Sequence, residues 1–145
     1  MSKSSRWSEH RIRRRVQFHE TDAAGIVHFS VFFRYMEEAE HALWREAGIS
    51  IARGTGPIGF PRVAVAFDYH RPLRFEDEFD IWIGIAAIGQ KTMRYTCRLT
   101  LKDDLIATGT MTIICVNRRP DEAMRAMAIP EDIVSRFEVA ASDVP

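Results

Sequence analysis

The stretch SVFFRYMEEAEHALWREAG, residues 30–48, decides what kind of fold this chain can adopt. Its apolar residues recur at steps of four, three, four and four, which is the period of one helix face. The residues of this face are Phe32, Met36, Ala39, Leu43 and Ala47. We predict an amphipathic helix of about five turns, begun by Ser30 as a cap and ended by Gly48. Further aromatic residues widen the apolar face, so we expect this helix to be buried on more than one side.

Alternating apolar and polar residues on both sides of the helix predict antiparallel strands. One strand precedes the helix at residues 11–18, with Ile12, Val16 and Phe18 on its apolar side. Four more strands follow the helix, and their predicted ranges are residues 63–70, 79–86, 92–101 and 105–116. Together they indicate an α+β domain at residues 10–145, after a flexible tail at residues 1–9, in which a curved antiparallel sheet of about five strands wraps the one long helix.

The face of the sheet turned away from the helix is also apolar in the sequence. Its large residues are Trp82, Ile88, Ile106, Ile114 and Val116. Because so much contiguous apolar surface is rarely left in water, we expect this face to form the interface of a homo-oligomer, either a dimer or a tetramer.

The composition excludes several classes of protein. The chain has 20 basic and 20 acidic residues and a formal net charge of zero, so no overall field favours nucleic acid or an anionic membrane. No apolar run approaches the ~20 residues of a membrane span, and the first residues lack the apolar core of a secretory signal. Cys97 and Cys115 fall at apolar strand positions, which favours buried thiols in a reducing compartment. We therefore expect a cytoplasmic protein.

The segment HETDAAGIVHF, residues 19–29, places a carboxylate directly before the helix. Small residues follow Asp22 and allow a ligand to approach the backbone, and the start of a helix supplies free N–H groups. This combination suits acyl transfer, because the N–H groups stabilise an oxyanion while the carboxylate attacks or activates water. Asp is also common as a turn or cap residue, so the spacing alone leaves both interpretations open.

Two further features of the sequence involve acidic residues: a cluster with histidines before the helix, and one glutamate within the helix. His19, Glu20, Asp22 and His28 could in principle share a metal ion, but adjacent strand residues point to opposite faces, so all four do not easily converge and we predict no metal site. Glu40 lies beside the apolar stripe of the helix. It could be a buried catalytic acid, but we expect a side chain that reaches solvent.

Residues 16–49 resemble the opening of the hotdog-fold acyl-CoA thioesterases of the 4-hydroxybenzoyl-CoA thioesterase-like family. The family signature is a strand, an acid two residues before a D-x-x-G-hydrophobic-V-aromatic stretch, and then the long central helix. The matching residues here are Glu20, Asp22, Gly25, Ile26, Val27 and Phe29. A second, weaker motif matches at Pro72 and Asp77, and the similarity spans roughly residues 11–117. The resemblance implies a hotdog fold and the hydrolysis of a small or medium acyl thioester, aromatic acyl groups included.

The resemblance also implies roles for individual residues. Asp22 would be the catalytic nucleophile or general base, and the backbone N–H of Phe29 would polarise the thioester carbonyl. Gly25, Ile26 and Val27 would contact the substrate. Lys91 and Arg94 would bind the nucleotide end of coenzyme A, or be exposed hairpin charges. The active site would lie between two subunits, and neither a metal nor a redox cofactor would be needed, because coenzyme A is part of the substrate.

The match to the family is incomplete near the helix start. One branch of the family has a histidine seven residues after the aspartate and a tyrosine four residues before it, where this chain has Phe29 and Phe18. His28 could polarise the carbonyl instead, or be a structural histidine. The alternatives to a thioesterase are a hotdog hydratase or dehydratase and a non-catalytic module that binds acyl-CoA or acyl-carrier thioesters. Hotdog hydratases have an aspartate–histidine pair five residues apart within an asparagine–proline motif, which this chain lacks.

Overall fold

The computed structural model describes residues 6–52 and 56–141. The long helix, α1, runs from Val31 to Glu46, as predicted. Gly48 ends it with φ of +86°, a conformation that glycine adopts without steric cost, and its N–H donates to the carbonyl of Arg45 at 3.0 Å. Ser30 precedes the first turn but makes no side-chain cap bond. Its hydroxyl lies 2.8 Å from Nδ1 of His28 instead.

Five strands form one antiparallel sheet behind this helix. They are β1 (Glu9–Arg15), β3 (Arg62–Tyr69), β4 (Glu78–Ile88), β5 (Thr92–Leu101) and β6 (Asp104–Ile114). Their spatial order is β1-β4-β5-β6-β3, so β1 and β3 are the two edges. Bulges in the β3–β6, β4–β5 and β5–β6 pairings bend the strands. This is the α+β arrangement that the resemblance to the hotdog family implied.

Short elements close the ends of the sheet. They are β2 (Ile58–Gly59), β7 (Val116–Asn117), β8 (Arg125–Ala126) and the helix α2 (Glu131–Val134), and β2, β7 and β8 form a second, three-stranded sheet. No helix in the described part of the chain is both long and apolar enough to cross a membrane.

Helix α1 packs on the sheet through large aromatic side chains. The rings of Tyr35 and Phe79 lie 4.9 Å apart, and the indole N–H of Trp44 donates to the buried phenol of Tyr95 at 3.0 Å. Burial of these rings supplies apolar area, and the hydrogen bond satisfies two polar groups that would otherwise be costly in the core. The helix is therefore fixed to the sheet, and in its first turn Phe32 and Phe33 contact the ring of Phe67 in the edge strand β3.

The predicted ends of the first strand are wrong at both sides. β1 ends at Arg15, and Phe18 lies in a 3-10 turn at residues 18–20 with 74% of its surface exposed. Of the predicted tail, residues 1–5 lie outside the described residues, whereas Trp7 pairs with Phe137 and Glu9 already belongs to β1. Contacts with the distant C-terminal segment order Trp7, whereas after Arg15 the backbone of Val16 bonds to Glu76 and Asp77 in the loop before β4, so distant contacts and not the local pattern set both boundaries.

The prediction that this face of the sheet is an exposed apolar surface is wrong for three of its five residues, while Ile88 and Ile114 are half-buried. Trp82, Ile106 and Val116 are buried within the single chain. The indole of Trp82 lies over Gly84, where an added Cβ would come within 2.4 Å of it, and its N–H donates to Glu9 at 2.7 Å. The edge strand β3 does carry exposed apolar residues: Val63 is 58% exposed and Val65 is 45% exposed.

Candidate active site

The residues between the 3-10 turn and α1 fold into a small hairpin, residues 20–28, which we call the Asp22 hairpin. The N–H of Asp22 donates to the carbonyl of Ile26 at 2.9 Å, and the N–H of His28 donates to the carbonyl of Glu20 at 2.9 Å. These bonds hold the two arms of the hairpin together, so Asp22 lies at its tip and the start of α1 follows directly from its second arm.

Asp22 forms the turn of this hairpin and also faces a cleft. Its Oδ1 accepts the N–H of Ala24 at 2.8 Å, and its carbonyl accepts the N–H of Gly25 at 2.9 Å. Gly25 has φ of +79°, a backbone conformation that residues with a side chain rarely adopt. Oδ2 of Asp22 has no hydrogen bond within residues 6–52 and 56–141. One carboxylate oxygen thus stabilises the turn, while the other is available for chemistry, so the two interpretations of the sequence are compatible.

The cleft beside Asp22 has a volume of about 510 Å³. Its lining is mainly apolar and comes from the hairpin, the helix start and the segment after β3. The lining residues are Asp22, Ile26, Val27, Phe29, Phe32, Tyr69, His70, Arg71 and Pro72. A mostly apolar cleft with a few polar groups at one end is the usual form of a small-molecule site.

The backbone at the start of α1 has an unused donor on Phe29, a residue that lines this cleft. Within the described residues, nothing accepts a hydrogen bond from the N–H of Phe29. The carbonyl of Phe29 accepts the phenol of Tyr69 at 2.8 Å, and the N–H of Val31 donates to the carbonyl of His28 at 2.9 Å. The N–H of Phe29 is therefore held in place by bonds on both sides of it, and it lies at the positive end of the helix dipole.

His28 is placed differently from Asp22. Its Nδ1 accepts the N–H of Ser30 at 3.2 Å and lies 2.8 Å from the hydroxyl of the same residue. The ring stacks on Phe29 with centroids 4.5 Å apart and does not line the cleft. In this chain the contacts of His28 hold the helix start.

The structure brings only some of the other predicted substrate-binding residues to the cleft. Ile26 and Val27 line the cleft, whereas Gly25 shapes the turn without lining it. Lys91 and Arg94 are exposed at the far end of the sheet. Arg94 pairs with Thr112, while Tyr69 of the cleft pairs with Ala107, five positions earlier on β6 and so roughly 17 Å away along the strand.

The sequence interpretation missed the residues that form the opposite wall of the cleft. Tyr69, His70 and Arg71 are brought there because the next residues pair with the hairpin: the N–H of Val27 donates to the carbonyl of Leu73 at 2.8 Å. Pro72, part of the second motif, was the one available signal for this segment. Contacts between a loop and a strand end more than forty residues apart leave no periodic trace in a sequence.

Glu40 is buried, contrary to the expectation of a side chain that reaches solvent. Its exposed fraction is 0%, and it forms an ion pair and hydrogen bond with Arg62 at the start of β3. Burial raises the pKa of Glu40 to about 7, although Arg62 acts to lower it. Glu40 does not line the cleft of Asp22. The acid therefore joins the helix to the edge strand and is separate from the candidate site.

The histidines and acids near the hairpin do not converge. The part of the chain that the structure describes contains no group of three or more His, Cys, Asp or Glu side chains that could hold a metal ion. His19 is exposed, and the carboxylate of Glu20 is engaged by Arg14. Both cysteines are free and buried, and burial raises the pKa of each thiol.

Comparison with known proteins gives matches along nearly the whole chain. A family model described as the thioesterase-like superfamily matches residues 16–137. A relative from Aquifex aeolicus is 31% identical over 124 residues, which are 84% of this chain and 92% of that protein. The 1,4-dihydroxy-2-naphthoyl-CoA hydrolase of Synechococcus elongatus is 26% identical over 137 residues, which are 92% of this chain and 98% of the hydrolase. The solved structure of the gentisyl-coenzyme A thioesterase BH1999 matches with a TM-score of 0.79 and 27% identity, over 89% of this chain and 100% of that one.

Proposed function

The chain belongs to the thioesterase-like superfamily, and from this premise we propose that it hydrolyses an acyl-coenzyme A thioester with Asp22 as the catalytic carboxylate. The observation that carries the proposal is the pairing, in one cleft, of a carboxylate oxygen without a hydrogen bond and the unused N–H of Phe29. Relatives named as a 1,4-dihydroxy-2-naphthoyl-CoA hydrolase and a gentisyl-coenzyme A thioesterase support the reaction.

The two groups act on opposite sides of the thioester carbonyl. The N–H of Phe29 donates to the carbonyl oxygen and stabilises the negative charge that develops there, helped by the dipole of α1. Asp22 then attacks the carbonyl carbon and displaces the thiolate to form an acyl anhydride, which water hydrolyses to the acid and free Asp22, or it removes a proton from a water that attacks the carbonyl carbon instead. The thiolate of coenzyme A leaves without a strong general acid, because a thiol has a pKa near ~8.5.

We propose an aromatic acyl group as the substrate. Phe29, Phe32 and Tyr69 line the cleft and give an aromatic ring faces and edges to pack against. The volume of about 510 Å³ is in the range of sites for small ligands. Both named relatives above act on acyl-CoA esters whose acyl groups are aromatic.

A second copy of the chain completes the site in this proposal. β3 is an edge strand whose exposed apolar residues include Val63 and Val65, and such an edge is suited to pairing with another chain. Antiparallel pairing of two β3 strands about a twofold axis brings the Tyr69 end of one copy beside the Arg62 end of the other. That is the end of the sheet that carries Lys91 and Arg94, so these cations would reach the coenzyme A bound by the neighbouring copy. Two free, buried thiols support a reducing, cytoplasmic location.

Thiol release from benzoyl-, 4-hydroxybenzoyl- and hexanoyl-coenzyme A tests the proposal. We expect the wild type to release coenzyme A, fastest from the aromatic esters, and Asp22→Asn to lose about two or more orders of magnitude in kcat while keeping the fold. Asp103→Asn, a variant of an exposed turn aspartate, is the control and should retain full activity. Binding of the esters without thiol release would show that the chain is a binding module and not an enzyme. Full activity of Asp22→Asn would refute the role of Asp22.

A further inference from the structure

We infer that Glu20 is a positioning residue for this reaction: its buried carboxylate sets the position of the hairpin that carries Asp22 and leads to the N–H of Phe29. The inference rests on the proposed function. Glu20 is not among the residues that line the cleft, so it does not act on substrate directly. It lies two residues before Asp22, and only 5% of its surface is exposed.

The carboxylate of Glu20 is surrounded by donors. Oε2 pairs with Nη2 of Arg14 at 2.6 Å, and Oε1 accepts Nη1 of the same arginine at 3.2 Å. Oε1 also accepts the phenol of Tyr35 at 2.8 Å and the backbone N–H of Gln17 at 2.8 Å. A buried charge is stable only when it is paired and fully hydrogen-bonded. This set of donors therefore holds the carboxylate in one place.

The donors belong to the rigid parts of the fold. Arg14 lies in β1, and Tyr35 lies in the second turn of α1, where it is fully buried. The guanidinium of Arg14 stands 5.1 Å from the centre of the Tyr35 ring, and its Nε donates to Glu38 of α1 at 2.8 Å. Glu20 is thus attached to both the sheet and the helix, although it lies in a loop.

The backbone of Glu20 transmits this fixed position to both catalytic groups. Its carbonyl accepts the N–H of His28 at 2.9 Å, and Phe29 is the next residue. Asp22 follows two positions later on the other arm. The distance between the carboxylate and the N–H that polarises the carbonyl depends on the separation of the two arms, which Glu20 joins at their base. A displacement of about 1 Å in such a pair can cost about a hundredfold in rate.

The charge state of Glu20 suits this role. Burial acts to raise its pKa, but the hydrogen bonds from Arg14, from the N–H of Gln17 and from Tyr35 prevail, so the pKa of Glu20 is lowered from its ordinary value. Tyr35 keeps its proton, because burial and the hydrogen bond to Glu20 both raise the pKa of its phenol. The phenol therefore remains a donor, and the carboxylate remains an acceptor, through the neutral range.

The substitution Glu20→Gln tests the inference, with Glu38→Gln as the matched control. Both residues bind the guanidinium of Arg14, but only Glu20 is joined to the hairpin. The readouts are kcat and KM for the best aromatic coenzyme A ester, the thermal midpoint, and amide hydrogen exchange of residues 21–29. We expect Glu20→Gln to lower kcat about tenfold or more, to leave KM within about threefold, and to speed exchange in the hairpin. Glu38→Gln should stay within about twofold of wild type in kcat and exchange.

Tyr35→Phe provides a second test if Glu20→Gln does not fold. It removes one donor and should lower kcat about threefold, again with faster exchange in residues 21–29. Wild-type kcat and exchange in Glu20→Gln, or in Tyr35→Phe where the first variant is unfolded, would overturn the inference. An equal loss in Glu38→Gln would also overturn it, since the network would then be merely structural. If the wild type hydrolyses no thioester, the proposed function fails, and hydrogen exchange alone still tests whether Glu20 holds the hairpin.

Discussion

The phenol of Tyr69 donates a hydrogen bond of 2.8 Å to the main-chain carbonyl of Phe29. This bond connects the last residue of the edge strand β3 with the segment that begins α1, forty residues earlier. Both residues line the candidate cleft. The bond therefore holds the two walls of the cleft together, at the place that the proposed mechanism gives to the thioester carbonyl.

We expect Tyr69→Phe to lower kcat while changing stability little. The lost hydrogen bond is worth about 1 kcal/mol, or about fivefold in rate, if it serves to fix the backbone around the N–H of Phe29. Tyr69 is 45% exposed, so water can replace its phenol as partner to the Phe29 carbonyl and the fold should persist. Steady-state kinetics and thermal denaturation measure the two effects. Unchanged kcat would show that the helix start keeps its position without this bond.

The stability of variants at Gly25 should follow how well the new residue tolerates a positive φ. The turn needs φ of +79°, and an added Cβ would meet no atom within 4 Å, so backbone strain and not collision is the cost. We expect Gly25→Ala to cost about 1 kcal/mol and Gly25→Asn less, since Asn visits this region more readily. Chemical denaturation should give the order wild type, Asn, Ala. Equal stability of all three would mean that the turn adopts another conformation.

The pH dependence of stability should report the buried acid Glu40. The groups that face it are Arg62, Glu37, His41 and Tyr95. Because burial raises its pKa from 4.5 to about 7, the folded chain binds its proton more tightly than the unfolded chain does. Its contribution is then fully present below about pH 4.5 and is lost as the pH rises through about 7, an effect of about 3 kcal/mol.

Glu40→Gln removes this dependence. Urea denaturation at pH 5 and at pH 8 gives the free energy of unfolding of wild type and variant. The difference, variant minus wild type, should be larger at pH 8 than at pH 5. The comparison is needed because His41 acts in the opposite direction: burial lowers its pKa, so its contribution is lost as the pH falls. Glu46→Gln, which alters an exposed acid at the end of the same helix, is the control and should follow the wild-type slope. If the free energy of unfolding of Glu40→Gln changed with pH as steeply as that of wild type, the dependence could not come from Glu40.

Arg71 should contribute to the affinity for coenzyme A without taking part in the chemical step. It lines the cleft with an exposed side chain, which allows it to bind a phosphate or pyrophosphate oxygen. We expect Arg71→Ala to raise KM about fivefold with kcat unchanged, and to weaken the dependence of KM on salt. Arg74→Ala removes an exposed cation that does not line the cleft and serves as the control. A loss in kcat alone would assign Arg71 a different role.

Elements with a local pattern were predictable, and elements decided by distant contacts were not. The helix face from Phe32 to Ala47 has a period that requires no partner to recognise, and Gly48 ends the helix as predicted. The strand around Phe18 was extended too far, because an alternating pattern continues through residues that the chain uses for a 3-10 turn. Trp82 lies on the expected side of its strand but is covered by Glu9, a contact seventy-three positions away in the sequence.

The sequence alone determined the long helix, the antiparallel strands, the family to which they belong, and the placement of Asp22 just before the helix. Periodicity and turn chemistry act over a few residues, so a linear pattern carries them. Tertiary structure decided that Tyr69, His70 and Arg71 form the far wall of the cleft, that Glu40 is buried, and that Glu20 joins the hairpin to sheet and helix. These relationships depend on how the strands and the helix pack, and packing brings together residues whose separation along the chain gives no hint of their distance in space.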